Sequence, residues 1–258
     1  MLEISGLSFA YDKKIILKEI DLKANKGEFI TLLGANGSGK TTFLKCIQGL
    51  LKPLAGKIAA DGENIKQLGK KETAQKIAVV PQEYQNVFDH QVIEMVVMGI
   101  NPWLSFGQQP SDAEYTRALN ILKELNIAEL YNKNFNKISG GERQLVLIGR
   151  ALMQQSDIML LDEPNSHLDF KNMHLIMEMM SSLKDKDKIV ISAMHNPNLA
   201  YKYSDKIMII NQGKVTAFGS TEEVMTAENI AAAYDMDIAK VRDGILSFSS
   251  RAKLKKEA

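Results

Sequence analysis

The chain has 258 residues, 45% hydrophobic and 24% charged, with 32 basic and 31 acidic side chains. That mix suits one soluble domain, or one domain carrying an insertion, and excludes a disordered or low-complexity chain. The net charge of +1 gives no bulk attraction to nucleic acid, the lone Cys46 excludes an internal disulfide and suits a reducing compartment, and no run of 18 apolar residues could span a membrane. The start, MLEISGLSF, alternates like a strand and lacks the basic and apolar regions of a signal peptide. The expectation is a cytosolic protein that partners could still hold at a membrane.

Residues 2–9 and 14–22 read as strands joined by the turn AYDKK, and 28–33 as a short buried strand. A helix should run from Lys40 to about Leu50, before Pro53. A second apolar run, KIAVVP, covers 76–81. From about Val87 to Leu152 the strand signals thin out. AEYTRALNILKELNIAELY carries apolar residues at spacings of three and four, which predicts a helix, with Asp112 as its cap.

The α/β pattern returns with DIMLLDEP at 157–164, a helix from about Phe170 to Leu183, the strand KIVISAMH at 188–195, and the short helix NPNLAYKY. KIMIINQGKVTAFG reads as two strands around a Gln212-Gly213 turn. A helix then starts at Ser220 or Thr221, and IAKVRDGILSF reads as a hairpin turning at Asp243-Gly244. The expected organisation is a single domain over 1–258. Residues 1–86 and 153–258 form an α/β core with an N-terminal antiparallel β subdomain, and 87–152 an inserted helical subdomain.

Two motifs carry chemistry. GANGSGKTT, Gly34 to Thr42, fits G-x-x-x-x-G-K-[ST] between a strand and a helix. Glycines at 34, 37 and 39 let successive backbone N–H groups curl inward around phosphate oxygens, with Asn36, Ser38 and Thr42 in the same loop. The helix N-terminus adds donors and a favourable dipole. Lys40 supplies a charge to the β/γ phosphates, and the Thr41 hydroxyl can ligate Mg²⁺. The second motif is IMLLDEP. A strand ending in Asp162 and Glu163 puts two carboxylates at the carboxyl edge of a sheet, where open α/β folds bind ligands. Asp162 is placed to hold Mg²⁺, and Glu163 to act as general base toward water. Together these residues specify nucleotide hydrolysis without stating its purpose.

ISGGERQ, Ile138 to Gln144, gives that purpose, because here the chain resembles the ATP-binding-cassette (ABC) ATPases. Taken alone, Ser139 and Glu142 make a capping box at a helix start. The resemblance implies more: that Ser139, Gly140, Gly141 and Glu142 meet the γ-phosphate of ATP held by a second copy of the chain. It implies the P-loop ABC ATPase fold. It also implies Gln82 as the glutamine that touches Mg²⁺ and joins core to helices, Tyr11 as an aromatic stacked on adenine, Ser166 to Asp169 as the loop crossing the dimer, and His195 as the switch histidine at the γ-phosphate. Two positions depart from the pattern. Asn196 stands where the family often has Asp, and Asn165 where Thr is more usual.

The resemblance covers about residues 1–235. It implies ATP and Mg²⁺ as ligands, a homodimer with two sandwiched nucleotides, and a place at the cytoplasmic face of the membrane. No coiled coil, second cassette or membrane segment is present, so a separate subunit docked on a membrane permease is expected. VIEMVVMGINPW and NSHLDF resemble the importers of ferric siderophores, haem and cobalamin, a subfamily that also moves molybdate or related oxyanions. An extracytoplasmic binding protein is then an indirect partner. A soluble, non-transport ABC ATPase is the alternative from another class. Cys46 and the MHLIMEMM stripe at 173–180 read as core. His90, His167 and His174 are too scattered for a metal cluster. The basic end, SRAKLKKEA, reads as solvated.

Overall fold

A computed structural model describes residues 1–82, 84, 88–165 and 168–242. The first two strands, β1 (Leu2–Tyr11) and β2 (Lys14–Ala24), pair as a hairpin, and β3 (Phe29–Leu33) follows with all five residues buried. Helix α1 (Lys40–Ile47) ends three residues short of expectation because Gly49 turns into the left-handed region at φ 73°. Three elements then appear that the sequence did not announce: strands β4 (Ala55–Ala60) and β5 (Glu63–Asn64), and helix α2 (Lys70–Lys76). Strand β6 (Ile77–Val80) leads toward Gln82.

Helices α3 (Val92–Val97), α4 (Asp112–Glu124) and α5 (Gly140–Gln154) occupy the stretch that read as helical. Ser111, not Asp112, is the N-cap of α4. Glu114 returns its carboxylate to the Ser111 amide at 2.6 Å, the S-x-x-E pattern that decides between two cap-competent neighbours. The chain continues through β7 (Ile158–Asp162), α6 (Phe170–Ser182), β8 (Ile189–Ala193), α7 (Pro197–Tyr203), β9 (Lys206–Asn211) and β10 (Lys214–Ser220). It ends its described part with α8 (Thr221–Val224), capped by Ser220, and α9 (Ala227–Tyr234). Ile238–Arg242 is helical, not a strand, and Asp243-Gly244 lies outside the described residues. Val241 is buried there, whereas Ile238 is exposed.

The strands form two sheets. One is antiparallel, in the order β2-β1-β4-β5. The other runs β10-β9-β3-β8-β7-β6, parallel throughout except for the edge pair β9-β10. Strand periodicity divides the core in two. Ile158 and Leu160 of β7, with Ile30 and Leu32 of β3, face a cluster shared with the antiparallel sheet and α1. Met159, Leu161, Phe29 and Leu33 face a cluster shared with the helices. Cys46 is buried in the first cluster, where burial pushes its thiol up to about 12. Among the described residues, no helix is long and apolar enough to cross a membrane.

Candidate functional site

Register places the motifs side by side. Leu32 of β3 pairs with Ala193 of β8, Ala193 with Asp162 of β7, and Leu161 of β7 with Val80 of β6. Gly34, His195, Glu163 and Gln82 therefore leave the sheet at the carboxyl ends of four adjacent parallel strands. β3 is inserted between β8 and β9, so the chain leaves β3 toward β6 in one direction along the sheet and leaves β8 toward β9 in the other. This is the switch point where open parallel sheets bind ligands.

The loop from Gly34 to Thr42 is shaped by its glycines. Gly34, Gly37 and Gly39 have φ of 147°, 76° and 111°. A Cβ on Gly34 would lie 2.1 Å from the Ile210 carbonyl oxygen, so no side chain fits there. Lys40 begins α1 and folds back over the loop. Its Nζ donates to the carbonyls of Gly34 at 2.7 Å and Ala35 at 3.0 Å. Only 5% of Lys40 is exposed. Burial pushes the ammonium below its ordinary range, opposed by the charges of Glu163 and Asp162. Asn36 and Gly37 are exposed at the tip, while Thr42 is half-buried.

The acidic strand end meets this loop directly. Thr41 Oγ1 donates to Asp162 Oδ1 at 3.1 Å. Asp162 is buried, and that burial raises its carboxyl above the ordinary range. The Thr41 hydrogen bond pulls the other way, and Glu163 adds to the rise. Glu163 sits at φ 52°, an unusual left-handed conformation for a non-glycine residue, while its amide donates to the Ala193 carbonyl at 3.1 Å. The turn aims its carboxylate between two neighbours. Gln82 Nε2 donates to Glu163 Oε2 at 3.0 Å, and His195 Nε2 pairs with Oε1. A cavity of about 410 Å³ opens here, lined by Glu163, Asn165, His195, Asn196 and Pro197.

The residues fit a nucleotide with its cation. Ser38 Oγ is buried inside the loop without a hydrogen-bond partner, and a buried hydroxyl of that kind awaits an acceptor. Thr41 and Asp162 present two hard oxygens of the type Mg²⁺ takes. Lys40 is satisfied by loop carbonyls that it could exchange for phosphate oxygens.

Other expected residues are spread further. Tyr11, at the end of β1, is 45% exposed and meets Phe9 edge-on with ring centroids 4.9 Å apart. Ser139 and Gly140 are exposed at the start of α5. The Ser139 amide donates to Glu142 Oε2 at 2.7 Å, and the Glu142 amide to Ser139 Oγ at 3.3 Å. That exchange holds the Glu142 carboxyl below its ordinary range. Among the described residues, no hydrogen bond or ion pair joins Ser139, Gly140, Gly141 or Glu142 to the Gly34–Thr42 loop. Ser166 and His167 lie outside the described residues, whereas Asp169 caps α6 by accepting from the Asn172 amide at 2.7 Å.

Asn196 has a role the sequence reading had not assigned. It caps α7, accepting from the amides of Asn198 at 2.9 Å and Leu199 at 3.3 Å, and so fixes the backbone next to His195. The signal was present, an Asn directly before a Pro at the first helical position. Tyr234, whose hydroxyl donates to the His195 carbonyl at 3.2 Å, had no motif to announce it.

The family described as ABC transporter matches residues 17–166. The chain is 35% identical to a probable iron chelatin transport ATP-binding protein of Helicobacter pylori, covering 93% of this chain and 95% of that one. It is 32% identical to a cobalamin import ATP-binding protein of Halobacterium salinarum, over 92% and 60% of the two chains, and 30% identical to a molybdate import ATP-binding protein of Haemophilus influenzae, over 91% and 88%. Among solved structures, it is similar to an ABC transporter assigned to the metal-chelate type in an inward-facing conformation, with TM-score 0.78, 30% identity, and 90% and 88% coverage. It is also similar to a dimeric ATP-binding cassette in a post-hydrolysis state with ADP and Pi, with TM-score 0.77, 28% identity, and 86% and 99% coverage. A P-loop closed by Lys40, an Asp-Glu strand end, and relatives matched over nearly the whole chain identify it as a member of the ABC transporter family, an ATP-binding cassette ATPase that serves as the ATP-binding subunit of a transporter.

Proposed function

We propose that this chain is the homodimeric motor of a membrane importer, and that its cargo is a metal chelate of the ferric siderophore, haem or cobalamin kind. The observation that carries the hydrolytic part is the Glu163 carboxylate, gripped by Gln82 and His195 beside the Thr41–Asp162 pair. In this reading the Gly34–Thr42 loop wraps the phosphates and Lys40 turns from its carbonyls to the β/γ oxygens. Tyr11 supports adenine. Thr41, Asp162 and Gln82 would hold Mg²⁺, which would supply positive charge against the phosphates. Glu163 accepts the proton of the water that attacks the γ-phosphorus, the bond to the ADP oxygen breaks, and ADP leaves with phosphate. His195 and Gln82 fix the carboxylate toward that water, which leaves little motion to be lost at the moment of reaction.

The second copy supplies Ser139, Gly140, Gly141 and Glu142. The exposure of Ser139 and Gly140 at the start of α5, with no hydrogen bond or ion pair among the described residues from these four to their own P-loop, supports a site completed between two chains. A two-fold pair of identical chains makes two such sites. ATP closes the pair because only the closed state offers both halves, and hydrolysis releases it. Permease subunits at the cytoplasmic face of the membrane, fed by an extracytoplasmic binding protein, would turn that closure into import. Core strands and inserted helices, divided near residues 86 and 153, would be the parts that move.

The names of the relatives from Helicobacter pylori and Halobacterium salinarum support the chelate reading. The relative from Haemophilus influenzae supports a second one, an importer of molybdate. Uptake separates them. In a host lacking this chain, one of labelled ferric siderophore, haem, cobalamin or molybdate should fail to enter. The intact chain should restore it and Glu163→Gln should not. Normal uptake of all four would overturn both cargo readings and leave a transporter subunit for another cargo.

A further inference from the structure

The backbone ladder that joins the P-loop strand to the switch strand stops early. Its last bond runs from the Met194 amide to the Leu32 carbonyl at 3.1 Å. Beyond it, Gly34 enters the P-loop and His195 turns toward α7, and the sheet no longer sets the distance between them. Tyr234, the last residue of α9, stands at this gap. Its hydroxyl donates to the His195 carbonyl at 3.2 Å. Burial pushes the Tyr234 phenol up, and the Gly34 backbone amide opposes that shift from close by. The Tyr234 oxygen therefore faces the main chain of the histidine that pairs with Glu163.

The helix that carries this residue is well anchored. Ile230, Ala231 and Ala233 are buried in the core. Asn211 Nδ2, at the end of β9, donates to the Ala232 carbonyl at 3.0 Å, and the Thr226 cap accepts from the Asn229 amide at 3.2 Å. The helix ends as Asp235 turns left-handed at φ 52° and the Met236 amide returns to the Ala231 carbonyl at 3.0 Å. Phenylalanine would fill the same space, so packing alone leaves the hydroxyl unexplained. The whole of α9 lies beyond the stretch that the family match covers, 17–166.

We propose that Tyr234 is a positioning residue for hydrolysis: its hydroxyl holds the His195 backbone, and through it the orientation of the ring that pairs with Glu163. This rests on the hydrolytic reading given above. His195 leaves the sheet at the end of β8 with no ladder bond beyond Met194, and Tyr234 braces its main chain from a separate element, α9. The hydroxyl touches neither substrate nor reacting atoms, so its removal acts on the rate and leaves binding alone.

The test is Tyr234→Phe in the full chain, with Glu163→Gln beside it. The expected result is a three- to tenfold fall in kcat, about what one hydrogen bond allows. KM and the affinity for a fluorescent ATP analogue stay within about twofold, and the thermal midpoint is unchanged. Ring signals of His195 in the NMR spectrum of histidine-labelled protein shift, while those of His90 and His174 do not. An unchanged kcat with Glu163→Gln inactive overturns the proposal and leaves the hydrolytic reading in place. A joint fall of kcat, ATP affinity and thermal midpoint also overturns it, by showing a structural role. Normal hydrolysis by Glu163→Gln removes the hydrolytic reading itself, and the proposal with it.

Discussion

The Gly34–Thr42 loop and the start of α5 are built on opposite terms. The Gly34–Thr42 loop and its acidic neighbours bury a lysine and an aspartate, leave the Ser38 hydroxyl without a partner, and hold Glu163 in a left-handed turn. The start of α5 does none of this. Ser139 and Glu142 satisfy each other at the surface, as in any well-capped helix. The first end is costly without ligand, and the second is stable by itself. The chain keeps its strain beside the Gly34–Thr42 loop and starts α5 with a self-satisfied terminus. In the two-chain site proposed above that difference is useful, because a donated half has to hold its shape before its partner arrives.

The comparison can be broken at its most strained point first. Gly34→Ala should destabilise the fold by about 3 kcal/mol, since a Cβ there meets the Ile210 carbonyl at 2.1 Å. Denaturant unfolding measures it, and a loss under 1 kcal/mol would mean that the loop is not held as described. Next comes Lys40→Ala, which should weaken ATP binding about 10- to 100-fold by titration, the scale of a hydrogen bond to a charged group. Ser139→Ala should cost only about 1 kcal/mol in the same unfolding assay, the price of an ordinary cap, and should leave ATP binding to the single chain intact.

The smallest effect concerns pH. Burial raises the Asp162 carboxyl, so the folded chain holds that proton more tightly than the unfolded chain does. Stability contributed there falls as pH rises from the ordinary carboxylate range through the raised value. Asp162→Asn should remove that slope and raise the thermal midpoint at pH 7 by about 1–3 °C without ligand. Glu142 has the opposite sign. Its depressed carboxyl favours the folded state above the ordinary range and loses that contribution as acid protonates it. A midpoint that drops in Asp162→Asn would show that the Thr41 contact outweighs the burial.

Much of this was legible in the residues, for identifiable reasons. The strands at the site are short apolar runs that end in Gly34, Asp162 and His195, and burial on both faces makes such runs hard to mistake. Other parts were silent. The helix Lys70–Lys76 reads KKETAQK and buries only Thr73, so no apolar stripe could announce it. The stretch Ile238–Arg242 alternated like a strand, and an Asp-Gly pair beyond it suggested a turn. Tyr234 could not be found because its partner is a backbone carbonyl 39 residues away. Side chains that act on backbone leave no spacing rule to read.

The most direct test of the account is hydrolysis by Glu163→Gln, measured together with ATP binding. With the carboxylate gone and its two neighbours kept, kcat should fall at least about 100-fold while ATP is bound as tightly as by the intact chain. Hydrolysis at the normal rate would contradict the claim that the carboxylate held between Gln82 and His195 is the base.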